Sequence, residues 1–107
     1  MAKAKKLEWN VKITAEAMAV FQGKDLSDED RVVITSWAEL VRAHGPEKLQ
    51  ERQDIWNDHE LERSPWIGHR ASNYSFSGRI IYQVDGKVVT VTVVRITADH
   101  NYKKEKK

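Results

Sequence analysis

The sequence predicts an α+β domain: an N-terminal strand, then two to three helices packed on one face of a mainly antiparallel, four-stranded twisted sheet. Three observations predict it: alternating apolar residues near the N-terminus, capped helical patterns in the middle, and a β-hairpin pattern in the last third. The 107 residues suffice for one core but not for two. We expect a disordered basic N-terminus over residues 1–6, a single domain over residues 7–102, and a basic tail over residues 103–107.

The composition favours a cytoplasmic protein without a cofactor. The chain contains no cysteine, which excludes a disulfide framework and Cys-ligated metal sites. No apolar run approaches the roughly 18 residues of a membrane span, and the charged N-terminus lacks the apolar segment of a signal peptide. We find no P-loop, no HExxH and no GxGxxG motif. No metal, no cofactor and no membrane contact is therefore predicted.

Charge is distributed unevenly along the chain. Residues 1–63 contain 10 Lys and Arg against 13 Asp and Glu, a net of −3, whereas residues 64–107 contain 8 against 3, a net of +5. A basic half of this kind suggests a polyanionic partner. On charge alone, lysines that only keep a terminus soluble explain the pattern equally well.

The first half of the chain predicts one strand followed by helices. Residues 7–14 alternate apolar and polar side chains, as in a half-buried strand. Thr14 is a suitable N-cap for a short helix, AEAMAVFQ, that ends at Gly23. Ser27 and the acidic turn after it favour the start of a second helix. That helix ends at Gly45-Pro46, and the proline is also expected to begin a short third helix, PEKLQERQ.

The segment before the hairpin has weaker patterns. Residues 53–64 are polar and acidic and are expected to form a loop or a short extended piece, in which His59 is a surface residue without an assigned role. Residues 65–76 are the next strand candidate, with Gly68 as the site of a bulge or a close backbone approach.

A β-hairpin pattern organises the last third of the domain. Two apolar runs, IIYQV and KVVTVTVVRI, flank Asp85-Gly86, a pair that favours a two-residue type I′ turn. With these two residues as the loop, alternation places one apolar set of side chains against the helices and leaves a mixed face as a candidate groove. The apolar set is Ile80, Tyr82, Val84, Val89, Val91 and Val93; the groove set is Arg79, Ile81, Gln83, Val88, Thr90, Thr92 and Val94.

Two arginines near the ends of the hairpin are candidates for ligand binding. Arg79 lies on the groove face, where a ligand can reach it. In an unbroken register Arg95 points to the helix side instead. Two outcomes stay open: a β-bulge near Arg95 turns it into the groove, or its side chain extends along the edge of the core.

The hairpin and the C-terminal residues carry a resemblance to a known family. The run Arg79-Ile-Ile-Tyr82-Gln-Val84 resembles a central strand of the RelE/ParE superfamily of type II toxins, and the order of elements is similar. The ending Asp-His-Asn-Tyr over residues 99–102 resembles the YoeB-like and HigB-like ribosome-dependent RNases. The resemblance implies a RelE-like toxin domain that cleaves messenger RNA in the ribosomal A site and is neutralised by a cognate antitoxin protein.

The resemblance also implies site residues. Arg79 matches the strand arginine that stabilises the phosphate, and His100 or Tyr102 matches the C-terminal acid or base. His69 and Arg70 lie where HigB-like toxins place further basic residues. The expected catalytic set is Arg79, His100, Tyr102 and His69, and the expected RNA-binding set is Arg70, Arg95, Lys103 and Lys104.

Metal-free RNA cleavage needs residues of these types. A base takes the proton of the 2′-OH, a cation stabilises the pentacoordinate phosphorane, and an acid protonates the leaving 5′-oxygen. Histidine suits proton transfer because its ordinary pKa of about 6.5 lies near neutrality. Arginine keeps its charge, and its planar fork matches two phosphate oxygens. The identity of the general base stays open.

Alternative interpretations exist for the function and for single residues. A non-enzymatic, ParE-like gyrase poison has the same fold, and a small non-catalytic RNA- or ribosome-binding module satisfies the charge distribution. His100 is otherwise a solvated terminal residue, Tyr102 a packing residue, and Arg79 a partner of Asp99 in a surface ion pair. Trp66 is first of all a packing residue, with base stacking as its functional alternative.

Overall fold

The computed structural model describes residues 9–96, which form an α+β fold with helices on one face of a sheet. The expected disordered N-terminus and basic tail lie outside these residues. Within them no helix combines the length and the apolar character needed to cross a membrane. The elements of this part of the chain are β1 (Asn10–Ile13), α1 (Ala15–Gln22), α2 (Asp28–His44), α3 (Glu47–Gln50), α4 (Gln53–Trp56), β2 (His59–Glu60), β3 (Arg70–Asn73), β4 (Gly78–Asp85) and β5 (Val88–Ile96).

The sheet is five-stranded and mixed, so the predicted number of four strands is wrong, while three of its four neighbour pairs are antiparallel, as expected of a mainly antiparallel sheet. The strand order is β1-β5-β4-β3-β2. β1 runs parallel to β5, while the other neighbours are antiparallel. The missed strand, β2, consists of two exposed polar residues, which have no alternating apolar pattern. Both β2 and α4 lie within residues 53–64, where a loop or a short extended piece was predicted.

Local sequence signals determine the ends of the first two helices. α1 begins after Thr14 and ends at Gly23, as predicted. At the start of α2, Ser27 and Asp30 form a capping box: each side chain accepts a hydrogen bond from the backbone N–H of the other, at 3.0 and 3.2 Å. Gly45 ends α2 with a φ of 88°, which side chains rarely permit. The predicted third helix is shorter than expected and ends at Gln50.

The core lies between the helices and one face of the sheet. Trp37 of α2 and Tyr82 of β4 are fully buried, and their rings meet edge to face with centroids 5.2 Å apart. The other face of the sheet is left for a site. Further buried members of the core are Ala17, Leu26, Ile34, Val41, Leu49, Trp56, Tyr74, Ile80, Val89, Val91 and Val94.

The β4–β5 turn uses different loop residues from those predicted. Asp85 pairs with Val88, so the loop is Gly86-Lys87 and not Asp85-Gly86. Gly86 has a φ of 64°, and Lys87 is not among the residues with positive φ, which is the sign pattern of a type II′ turn. Each residue of β4 near the turn therefore pairs with a residue of β5 two positions further along than predicted; Tyr82, for example, pairs with Val91 and not with Val89. Because a shift of two preserves the alternation, side chains near the turn keep their predicted faces.

A β-bulge in β5 reverses the faces further from the turn. Tyr82 pairs with Val91, but its neighbour Ile81 pairs with Val93, so Thr92 is an extra residue in β5. Val94 consequently lies in the core, and Val93 lies on the groove face. The predicted faces of these two valines are therefore wrong.

The bulge also decides between the two alternatives for Arg95. Beyond it, Arg95 is the register partner of Arg79, so the alternative in which a bulge turns Arg95 into the groove is correct. Thr14 holds the bulge in place, because its hydroxyl donates to the carbonyl oxygen of Thr92 at 2.8 Å and accepts from Ala17 N–H at 3.1 Å. The N-cap of α1 is thus hydrogen-bonded to the bulge that precedes Arg95.

Candidate nucleic-acid interface

Two arginines lie side by side on the sheet face that the helices leave uncovered. Arg79 of β4 and Arg95 of β5 are directly opposite each other, and their side chains leave the same face. Within residues 9–96, neither forms an ion pair with a carboxylate. Like charges directly opposite each other destabilise a sheet, and an anion bound between them removes that cost. The Arg79–Arg95 pair is the centre of the candidate site.

Residues of the turn between β3 and β4 form hydrogen bonds with the Arg79 side chain and with the Arg95 backbone. Arg79 Nη1 donates to the carbonyl oxygens of Gly78 at 2.9 Å and of Phe76 at 3.3 Å. The Tyr74 hydroxyl donates to the carbonyl oxygen of Arg95 at 3.3 Å. Tyr74 lies directly on Gly78, since a Cβ at position 78 would lie 2.2 Å from Cζ of the ring. Only glycine permits this approach, which connects the two arginine-bearing strands to one turn.

Trp66 links Arg95 to His69. The Arg95 guanidinium lies 5.9 Å from the centroid of the indole, within cation–π range. The His69 ring meets the indole edge to face, with centroids 5.2 Å apart. His69 immediately precedes β3. The structure therefore brings three predicted site residues, Arg79, Arg95 and His69, into one neighbourhood.

Two polar atoms in this neighbourhood are buried without a partner. His69 Nδ1 and Asn73 Oδ1 make no hydrogen bond in the part of the chain that the structure describes. Asn73 is the register partner of Arg79. A buried polar group without a partner costs about 1–3 kcal/mol, so each of these two atoms, one just before the start of β3 and one at its end, calls for an explanation such as a ligand or a water. Sequence reasoning missed Asn73, because an Asn between Ser72 and Tyr74 carries only a turn signal.

Arg70 belongs to a buried network on the helix-facing side, which we call the Asp58 network. Asp58 Oδ1 accepts from Arg70 Nε at 2.7 Å, and the Asp58 side chain is fully buried. Its Oδ2 accepts from Ser72 Oγ at 2.6 Å and from the Tyr82 hydroxyl. Ser72 Oγ accepts from Trp37 Nε1 at 3.0 Å. RNA contact by Arg70 stays a prediction; its contact in the structure is Asp58, which ties β3 to β4 and α2.

Burial and neighbouring charges shift the pKa values of three residues in or next to β3 and β4. Burial lowers the pKa of Arg70, but the hydrogen bond and the charge of Asp58 outweigh it, so this pKa lies above its ordinary value. Burial, followed by the charge of Asp58 and the bond to it, raises the pKa of the Tyr82 hydroxyl. Burial, assisted by the charge of Asp30, raises the pKa of Tyr74 to about 12.

We expect the protein to lose stability at alkaline pH through these tyrosines. The pKa values of Tyr74 and Tyr82 in the folded state exceed the ordinary 10.0, so the folded state retains protons that the unfolded chain releases. This stabilisation is complete below the ordinary pKa and is lost as the pH rises through the folded-state pKa values. The melting temperature should decrease as the pH is raised from about 10 to about 12. In Tyr74→Phe this decrease should be smaller. Midpoints that follow the same curve in both proteins would contradict the assignment to Tyr74.

The remaining predicted site residues lie outside the described part of the chain. These are His100, Tyr102, Lys103 and Lys104, together with Asp99, the suggested ion-pair partner of Arg79. Their roles stay predictions.

The comparisons with known proteins place the fold. No protein-family model and no curated protein matches the sequence. Three similar solved structures are the YoeB dimer from Staphylococcus aureus, the archaeal RelE–RelB complex from Pyrococcus horikoshii OT3, and YafQ from E. coli strain BL21(DE3). The identities are 13%, 14% and 15%, and the TM-scores are 0.63, 0.63 and 0.61.

The likeness extends over nearly the whole of each compared chain. It covers 82%, 83% and 86% of this chain and 95%, 94% and 97% of the YoeB, RelE and YafQ chains, respectively. At these identities the likeness concerns the fold alone, and it confirms the RelE-like fold that the resemblance implied. The chain therefore has the fold of these YoeB, RelE and YafQ structures.

Proposed function

We propose that this protein is the toxin of a type II toxin–antitoxin pair and cleaves messenger RNA in the ribosomal A site. The Arg79–Arg95 pair carries the proposal. Two adjacent arginines that have no carboxylate partner within residues 9–96 suit a phosphate group of RNA. The fold supports the proposal, since solved structures with this fold include toxin–antitoxin complexes.

The proposed reaction is metal-free attack of the 2′-OH on the adjacent phosphate. Arg79 and Arg95 hold the phosphate and stabilise the charge that develops on the phosphorane. His69, which is half-buried and lies against Trp66, is the candidate that takes the 2′-OH proton. His100, with Tyr102, then supplies the proton for the leaving 5′-oxygen. Further RNA contacts are assigned to Lys103 and Lys104, whereas Arg70, paired with Asp58 on the helix-facing side, is not assigned to the RNA held by Arg79 and Arg95.

A cognate antitoxin protein is the proposed partner besides messenger RNA and the ribosome. The RelE–RelB, YoeB–YefM and DinJ–YafQ structures are complexes of toxins of this fold. We further propose that the protein acts in the cytoplasm, where translating ribosomes are accessible to it.

Mapping of RNA ends after incubation with translating ribosomes tests the proposed function. We expect new ends within A-site codons in the presence of ribosomes, and strongly reduced cleavage by Arg79→Ala and by His100→Ala. Cleavage that both substitutions leave intact would overturn the assigned site but not the activity. Intact RNA with gyrase-dependent DNA breaks would favour a ParE-like gyrase poison. Intact RNA and intact DNA would favour a non-catalytic RNA- or ribosome-binding module.

A further inference from the structure

We propose that Trp66 stacks on a nucleobase of the bound RNA, beside the phosphate held by the Arg79–Arg95 pair. The proposal rests on the proposed function, because it takes single-stranded RNA as the ligand of this face. It adds a positioning residue: a base stacked on the indole would fix which nucleotide presents its phosphate to the arginines.

Backbone hydrogen bonds hold the loop that carries the indole. The Trp66 N–H donates to the carbonyl oxygen of Arg63, and the Trp66 carbonyl oxygen accepts from the His69 N–H, both at 2.9 Å. The Leu61 N–H donates to the carbonyl oxygen of His69, also at 2.9 Å, and extends the pairing at the start of β3. Because the loop is ordered before binding, little conformational entropy is lost when a base stacks on the ring.

Trp66 is also more open than the core tryptophans. Trp37 and Trp56 are 0% and 7% exposed, whereas Trp66 is half-buried. Trp9 is half-buried too, but it is closely packed: a Cβ at position 45 would lie 2.7 Å from its ring. Trp66 is thus partly accessible to solvent, unlike Trp37 and Trp56.

The neighbours of the indole have the chemistry of a site for single-stranded RNA. Arg95 is exposed, lies 5.9 Å from the ring centroid, and has no carboxylate partner within residues 9–96. Sequence-tolerant binding of single strands combines aromatic rings, on which bases stack, with cations that hold the backbone. Unstacked RNA bases are recognised in the same way on aromatic side chains and arginines. The combination of Trp66 with the Arg79–Arg95 pair has both components.

The test uses ribosomes programmed with a messenger RNA that has 2′-deoxy nucleotides in the A-site codon, so that the nucleotide cannot attack its phosphate. Affinity of the full-length protein is measured for wild type, Trp66→Leu and Trp66→Phe. We expect Trp66→Leu to weaken binding about tenfold or more, because stacking on one base is typically worth that factor. Trp66→Phe should retain most of the affinity. Ile67→Ala is the matched control, since Ile67 is the next residue of the same loop and is 64% exposed.

An abasic nucleotide at each A-site position separates stacking from a structural role. We expect one position at which removal of the base lowers the affinity of wild type as much as Trp66→Leu lowers it on intact RNA. At that position, the substitution and the missing base together should lower the affinity no more than either change alone. Equal affinity of Trp66→Leu and wild type, or losses that multiply at every position, would overturn the proposal. If Arg79→Ala weakened binding to programmed ribosomes and Trp66→Leu did not, the stacking proposal would be overturned and the proposed function would remain intact. Absence of binding by wild type would overturn both.

Discussion

Replacing Asp58 with alanine is expected to lower the free energy of unfolding by about 3–5 kcal/mol, a large share of the roughly 5–15 kcal/mol of a typical domain. The Asp58 side chain is fully buried and accepts hydrogen bonds from Arg70, Ser72 and Tyr82. Alanine leaves the Arg70 side chain, which is only 27% exposed, without its counter-charge. It also leaves two hydroxyl groups without an acceptor. Urea denaturation of the two proteins measures the difference.

Asp54→Ala is the matched control for this substitution. Asp54 forms an ion pair of similar length with Arg52, at 2.8 Å, but at the exposed surface, where such pairs contribute little. Its unfolding midpoint should stay close to that of wild type. Ser72→Ala and Tyr82→Phe each remove one hydrogen bond to Asp58. Their unfolding midpoints should lie between those of Asp58→Ala and Asp54→Ala. If Asp58→Ala proved as stable as Asp54→Ala, the Asp58 network would not stabilise the fold.

The second large effect is expected at Arg79, where alanine should slow RNA cleavage on the ribosome by on the order of 10²-fold or more. In the proposed reaction the guanidinium faces charge that develops on the phosphate, and a point-charge lysine cannot reproduce its planar fork. Arg79→Lys should therefore restore only part of the rate. Arg79 hydrogen-bonds only to carbonyl oxygens within residues 9–96, so the fold should tolerate both changes. Single-turnover cleavage at saturating protein measures the rate.

Arg42→Ala controls for a general loss of positive charge. Arg42 lies in the last turn of α2, on the side of the sheet opposite to Arg79. Its substitution should leave the cleavage rate nearly unchanged. A rate that falls in Arg42→Ala and not in Arg79→Ala would place the site among the helices.

The helical half shows what a sequence predicts well. Thr14, Ser27 and Gly45 act on backbone groups within a few residues of themselves, so the ends of α1 and α2 are encoded locally. α4 has no comparable signal at its start, since Arg52 at its N-cap makes no side-chain capping bond. Its Trp56 packs into the core, a tertiary contact that local sequence does not reveal.

The hairpin shows where local reasoning stops. Both possible loops contain Gly86, and the strand pairing decides between them. The carbonyl oxygen of Thr92, the bulge residue, accepts a hydrogen bond from Thr14, which is 78 positions away in the sequence. The faces of Val93 and Val94, and the position of Arg95 beside Arg79, follow from the bulge, which alternation along β5 does not reveal.

The candidate site divides in the same way. Alternation along β4 was sufficient to place Arg79 on the groove face. The partner of Arg70 was not predictable, because Asp58 is one of several acidic residues in a segment without a pattern. Only the folded structure, in which Ser72 and Tyr82 donate to its carboxylate, distinguishes Asp58 from the other acidic residues of the segment.

Cleavage through the 2′-OH of ribosome-bound messenger RNA is measured most directly with a single 2′-deoxy nucleotide on the 5′ side of the scissile phosphate. With ordinary RNA, we predict a cut in the A-site codon that leaves a 2′,3′-cyclic phosphate and that Arg79→Ala nearly abolishes. With the 2′-deoxy nucleotide, we predict no cut at that phosphate. Undiminished cleavage of the 2′-deoxy RNA, or intact ordinary RNA after incubation with wild type, would contradict the proposed function.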